Sequence, residues 1–513
     1  MASVIGQFFR NIFTSWAGMV IGLVITFFFT PYLISTIGKD QYGIWTLAFS
    51  IVAYMGLADV GMKQSIVRYI SKYYATKDWL QLNQIFSSSV RIYFGVSIII
   101  MVATLGIVFG VLHHFKIPPQ FLNIARAAIL VIGIDQAIEY AMLPFVSLGA
   151  FHRFDITTAW RMIARIGQTI GIIILLELGY GLVSMAVMVT AWGIIRRLAV
   201  NYYRRKYYPE VKFSFDSIDK EKTKILISYG WISFLIVATW IVIYQTDNIV
   251  IGRFISMESV AIYSVAGALI LQLRDAINAI SVVIVPTISH FEAEKDFSLI
   301  MDIYTRSTRY LYYISGYLLI AMLFFGGSFI LLWVGDDFTP SVKILYTLII
   351  SGTIYFPQMI ANSVLFGISR HKIALYILAV EAVSNIGLSL LLVKSYGIWG
   401  VALGTAIPQV IIYTFVYPVV FYRVMSSDVK TFYYTAIKSL VMSGLFVLPP
   451  AFLMWKLITP DNWAALIFDC AVVTVIMFFG FYRFVLSEND RMKIGEKLGK
   501  FLHFKKEPKG KAE

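Results

Sequence analysis

Fourteen stretches of this chain run for about 20 residues with few charges, and about 20 apolar helical residues are what it takes to cross the hydrocarbon core of a bilayer. Their limits are 12–34, 43–61, 92–112, 124–148, 160–180, 182–200, 226–247, 260–286, 310–334, 342–368, 373–393, 398–422, 432–457 and 463–486. Only 14% of the residues are charged, against about 25% in soluble domains, too few to cover a water-facing surface. The pattern predicts an all-α polytopic membrane protein. It excludes large soluble enzymes, disordered scaffolds and disulfide-rich secreted proteins. The single cysteine, Cys470, leaves no intramolecular disulfide, and the six histidines lack metal-ligand spacing. A net charge of +14 suits loops facing an anionic membrane rather than nucleic acid. With the N-terminus placed inside, 35 basic residues fall on the cytoplasmic side and seven outside, so both termini are expected in the cytoplasm. Arg10 precedes a long apolar run without a small-residue cleavage site, so no cleavable signal is expected.

The chain also resembles itself. At an offset of 218, Ile70-Ser71-Lys72-Tyr73-Tyr74-Ala75-Thr76-Lys77-Asp78 falls on Ile288-Ser289-His290-Phe291-Glu292-Ala293-Glu294-Lys295-Asp296, with five of nine residues identical. Ile37–Trp45 falls on Ile255–Tyr263, and Gly149 on Gly367, at the same offset; Tyr180-Gly181-Leu182 meets Tyr396-Gly397-Ile398 at 216. Two lobes are expected, residues 1–200 and 226–425, each of six spans and joined by a basic cytoplasmic loop, 201–225. Two added spans, 426–486, and a basic tail, 487–513, follow. An even number of spans per copy sets both lobes the same way up, related by a pseudo-two-fold along the membrane normal. Within the tail, 490–504 has the pattern of a short amphipathic helix on the inner leaflet, or of a solvated tail.

The stretch Pro31-Tyr32-Leu33-Ile34 through Gly43-Ile44-Trp45, the run Gly56-Leu57-Ala58-Asp59-Val60-Gly61, and Gly149-Ala150-Phe151-His152-Arg153-Phe154-Asp155 resemble bacterial Wzx-type flippases. These belong to the multidrug/oligosaccharidyl-lipid/polysaccharide exporter superfamily. The resemblance covers the first 425 residues or so. It implies that an undecaprenyl-pyrophosphate-linked oligosaccharide moves from the inner to the outer leaflet of the bacterial plasma membrane by alternating access, for O-antigen, capsule or exopolysaccharide synthesis. The partners it implies are that glycan, membrane lipids and other polysaccharide-assembly proteins. No cofactor is expected, and coupling to a proton or sodium ion stays open.

A charge at mid-span costs about 2.5–3.5 kcal/mol to insert, so it must face a partner or water. Arg274 is read as a cavity cation for the pyrophosphate, with Asp275, about 100° around the helix, a poor partner. Asp135 and Glu139 share one face of the fourth span, and Arg165 on the fifth is expected within reach of Glu139, as a lobe brace or a cavity wall. Glu381 coincides with Arg165 at offset 216, which suggests a gate between lobes or pairing within each. Asp59 enters from the motif, and Asp247 is read as interfacial. Tyr54, Trp160, Tyr229, Trp240, Tyr244 and Tyr355 are candidates for a glycan path or for ordinary packing. Pro286, Pro357, Pro408 and Pro418 are expected to interrupt helices. Two alternatives stand beside the flippase: a cation-coupled multidrug exporter, and a membrane glycosyltransferase or polymerase. The second predicts a catalytic loop, and Asp336-Asp337 is the only adjacent acidic pair.

Overall fold

A computed structural model describes residues 2–59, 61–458, 460–488, 490–492 and 496, without the side chains of 2–16, 229, 230, 232 and 233. Most of the tail, including most of 490–504, and the side chain of Tyr229 lie outside that set. Among the described residues every regular element is a helix. Lipid offers backbone N–H and C=O groups no partner, so a spanning segment must satisfy them internally.

The helices are α1 (Ala2–Met55), α2 (Met62–Ala75), α3 (Trp79–Gly106), α4 (Leu122–Met142), α5 (Phe154–Glu177), α6 (Leu182–Tyr207), α7 (Lys220–Phe254), α8 (Met257–Val282), α9 (Val285–Ala293), α10 (Phe297–Val334), α11 (Thr339–Gly367), α12 (His371–Ile411), α13 (Tyr417–Val424), α14 (Lys430–Leu457) and α15 (Trp463–Gly480). Twelve helical segments among the described residues are long and apolar enough to cross a membrane. The expected fourteen spans map onto these twelve because two segments each contain two. These are Ala17–Asp59, 43 residues, and His371–Val424, 54 residues.

Each of the two long segments doubles back at a glycine. Gly38 (φ 79°, ψ 164°) and Gly397 (φ 59°, ψ −139°) leave the helical region, on the side of the map that favours a residue without Cβ. Tyr42 hydrogen-bonds Thr30, twelve residues away, which in a straight helix would lie about 18 Å distant. In α12, Asn385 Nδ2 donates to Thr405 Oγ1 at 2.7 Å, and a Cβ on Gly404 would lie 2.3 Å from Ser389 Oγ. Both segments are therefore helical hairpins. Pro357 and Pro408 lie inside helices; Pro286 stands at the start of α9, where the missing N–H costs nothing, and Pro418 follows a π-helical turn, Ile412–Val416, that joins α12 to α13.

The sequence repeat recurs as local geometry. Lys77 and Lys295, 218 apart, both adopt positive φ (55° and 60°). The next residues, Asp78 and Asp296, both cap helices, accepting from Gln81 N at 3.1 Å and Leu299 N at 3.0 Å. The Ser298 hydroxyl, with Leu299 N, holds the Asp296 carboxyl below the ordinary range. Ser71 Oγ donates to Ala150 O, and its equivalent Ser289 to Gly367 O.

The chain forms two compact units: residues 1–266 with 375–405, and residues 267–374 with 406–513. Their borders fall inside α8 and α12. In the first unit α7 packs along α1, α2 and α3. Gly43 of α1 approaches the N-terminus of α8 so closely that a Cβ there would lie 1.9 Å from Met257 O. A backbone carbonyl cannot step aside. Gly43→Ala is therefore expected to destabilise the protein by about 1–3 kcal/mol or more, read as lower detergent-resistant folded yield; an unchanged yield would contradict the packing. The second unit is built on α10, α11, α14 and α15, with Tyr313, Ile320, Phe325, Val447, Val473 and Met477 in one apolar cluster.

Candidate functional site

Two polar clusters lie inside the first unit. The first begins on α4, where Asp135 and Glu139 are one turn apart on one face. The facing helix is α6, and its Arg197, only 1% exposed, donates from one terminal nitrogen to Asp135 and from the other to Glu139 at 2.7 Å. Arg196 also donates to Glu139. Two carboxylates and two guanidiniums thus form a charge-balanced tetrad. Each buried charge is matched, which such a group requires where water is scarce.

A polar extension adjoins the tetrad. Tyr140, next to Glu139, stacks on Tyr93, with ring centroids 6.2 Å apart and planes 14° from parallel. Tyr93 donates to Asp59, which sits in a short 3-10 turn, Gly56–Asp59, at the end of α1. Asp59 is thereby placed near the tetrad.

The second cluster is centred on α7. Asp247 is 5% exposed, and its Oδ2 accepts from Tyr263 of α8 and from Thr405 Oγ1 of the α12 hairpin at 2.8 Å. Its Oδ1 has no hydrogen-bond partner, nor have the buried amide oxygens of Asn248 and Asn385. Glu381 (1% exposed), Asn385 and Ser389 recur every four residues and share one face of α12. A buried carboxylate with one oxygen left over, joined through the Thr405 hydroxyl to the Asn385 amide, is the donor chemistry of a hard cation or of a carboxyl that takes up a proton.

Several expectations change here. Arg165 does not pair with Glu139: it is solvent-exposed and reaches Thr26 Oγ1 at 3.4 Å, while Glu139 is taken by α6. Nor does it meet Glu381, which is buried in the α12 hairpin. Arg274 does pair with Asp275, its Nε at 3.1 Å and a terminal nitrogen at 2.6 Å from Oδ1, because a long guanidinium arm wraps around the helix more readily than 100° of separation suggests. The pair is partly exposed, 18% for Arg274 and 49% for Asp275. Asp247 is not interfacial, since α7 continues to Phe254, seven residues past the expected end. Arg196 and Arg197 were counted only as cytoplasmic charge. Their position before the expected end of the sixth span was the available signal, because insertion cost applies to them as well.

The aromatic candidates divide. Tyr54 bonds Thr246, Trp240 stacks on Tyr244 at 5.4 Å, Trp160 is half-buried, and Tyr355 is enclosed against Tyr413. Asp336 and Asp337 lie on a three-residue 3-10 turn. No group of three or more His, Cys, Asp or Glu among the described residues could hold a metal ion.

Residues 8–292 match the model of the family described as "Polysaccharide biosynthesis protein". A Shigella flexneri protein named "Putative O-antigen transporter" is 24% identical over 383 residues, covering 73% of this chain and 88% of that one. The "Uncharacterized membrane protein EpsK" of Bacillus subtilis (strain 168) is 19% identical, covering 66% and 68%. Among solved structures, the lipid II flippase MurJ in its inward closed conformation superimposes with a TM-score of 0.72 at 16% identity, covering 92% of this chain and 98% of that one. An inward-facing multidrug resistance MATE family transporter of the MOP superfamily gives 0.62 at 15%, covering 80% and 98%. The fold is thus that of MOP superfamily transporters. Since the family match takes in more than half of the sequence, the chain belongs to the polysaccharide biosynthesis protein family, as an all-helical multi-pass membrane protein.

Proposed function

We propose that this protein flips an undecaprenyl-pyrophosphate-linked oligosaccharide from the inner to the outer leaflet of a bacterial plasma membrane, supplying O-antigen, capsule or exopolysaccharide assembly. The observation that carries this reading is the charge-balanced tetrad fixed inside the spans. Such a tetrad is costly in lipid and serves a polar passage. A glycan and a pyrophosphate need that passage, whereas the prenyl tail can remain in the bilayer. The family and the O-antigen description of the Shigella relative support the same substrate class.

On this reading both halves of each hairpin cross the membrane, giving fourteen crossings with both termini in the cytoplasm. The two repeats are lobes related by a pseudo-two-fold along the membrane normal, and alternating access is their relative rocking. Arg274, released from Asp275, contacts the pyrophosphate. Asp135, Glu139 and Asp59 shape the polar wall, and Arg165, exposed on α5, offers a further cation to the substrate. The Asp247 cluster with Glu381 is the coupling site, taking a proton or a sodium ion. Fold similarity to multidrug transporters favours drug export as the second reading, tested by drug sensitivity of the deletion strain.

Deleting the gene should leave a lipid-linked glycan on the cytoplasmic leaflet, cleared by the wild-type gene. Arg274→Ala should clear it about tenfold more slowly, the loss of one charge-assisted hydrogen bond. If no lipid-linked glycan accumulates, the flippase reading fails; if Arg274→Ala works at the normal rate, the anchor role fails.

A further inference from the structure

The segment between α6 and α7 is held rigidly yet presents an aromatic side chain outward. Three α3 residues hold it in place, and a fourth reaches the first turn of α7. Asn83 Oδ1 accepts from Lys212 N at 2.8 Å, Ser87 Oγ from Ser214 N at 3.1 Å, and Ser88 Oγ from Asp219 N at 3.0 Å; Arg91 reaches Thr223 Oγ1 at 3.4 Å. Arg204 of α6, buried between Phe86 and Phe145, donates to Val211 O at 2.7 Å. On this mount Phe215 is 78% exposed, the most exposed large apolar side chain described, in a 3-10 turn, Phe215–Ser217. Leu80, one turn before Asn83, is 67% exposed. Arg205, Lys206, Lys212, Lys220 and Lys224 are exposed around it, against exposed Glu210, Asp216 and Glu221.

Depth follows from α3. Arg91 is the last charge before an uncharged run that ends at His113. Ser87 lies one turn, about 6 Å, below Arg91. The headgroup layer is roughly 5–7 Å thick on each side of the core. The Phe215 turn therefore sits at headgroup depth on the side that the charge bias makes cytoplasmic.

We propose that the Phe215 turn and its lysines form a docking surface for anionic phospholipids of the inner leaflet, with the ring seated among the headgroups and the ammonium groups on lipid phosphates. A rigid mount lowers the ordering cost of inserting one ring. The positive excess matches the negative surface of that leaflet. A soluble protein partner would instead need a surface standing clear of the headgroups.

The full-length chain with Cys470→Ser and Phe215→Cys carries one cysteine, which takes a nitroxide. In vesicles of phosphatidylcholine with about one part in four phosphatidylglycerol, the label should be reached by oxygen and shielded from a water-soluble nickel chelate, unlike the same label at exposed Glu210→Cys. Changing Lys212, Lys220 and Lys224 to Gln should lower phosphatidylglycerol enrichment around the protein by roughly fivefold for each cation, at about 1 kcal/mol apiece. A label at 215 as open to the chelate as that at 210 overturns the proposal and leaves the surface to a soluble partner. A shielded label with unchanged lipid enrichment overturns the anionic-lipid assignment.

Discussion

Arg197→Ala is expected to cost about 3–5 kcal/mol of stability. Its guanidinium is almost wholly buried and serves both carboxylates of α4. Removing it leaves Asp135 without its cation and Glu139 with Arg196 alone. Arg197→Lys should rescue only part of the loss, because one ammonium cannot reproduce a planar fork that reaches two carboxylates at once. The effect should be strongly non-additive with Asp135→Asn, since losing both charges removes the unpaired carboxylate that makes the single change costly. Folded yield and thermal unfolding in detergent measure this. A variant as stable as wild type, or simple additivity with Asp135→Asn, would mean that the tetrad does not exist in the membrane.

The second large effect concerns Asp247. Asp247→Asn preserves the shape and keeps an oxygen to accept from Tyr263 and Thr405, so the protein should fold. What disappears is the negative charge of the carboxylate and its unpartnered oxygen. For a close charge pair worth about 3 kcal/mol, that is a loss of about a hundredfold in cation affinity. Export in reconstituted vesicles should then lose its response to an imposed ion gradient, while residual export without a gradient persists. Varying sodium at fixed pH, and pH at fixed sodium, separates the two candidate ions. Export that still follows either gradient in Asp247→Asn removes Asp247 from coupling.

Much of this architecture could be read from the residues in order. Apolar runs near 20 residues fell on each of the twelve described segments long and apolar enough to cross a membrane. The glycines at 38 and 397 fell between expected spans and became the turns of hairpins. The repeat offset of 218 anticipated matched turns at Lys77 and Lys295, because a motif of nine residues carries its own cap and its own left-handed residue. Pairing of charges was less legible. Asp135 and Glu139 were recognised as one face, but their partners came from α6, not from Arg165 on α5, since chain neighbourhood does not decide which helices touch. Asp247 was misplaced by ending α7 two turns early, which moved a buried carboxylate to the interface.

Local chemistry thus settled the helices and their turns, properties of nearest neighbours along the chain and of transfer between water and oil. Only the packed structure decided which charges met. Arg197 and Asp135 are 62 positions apart, and their contact depends on how two helices cross, on the rotation of each about its axis, and on how far each continues beyond its apolar run.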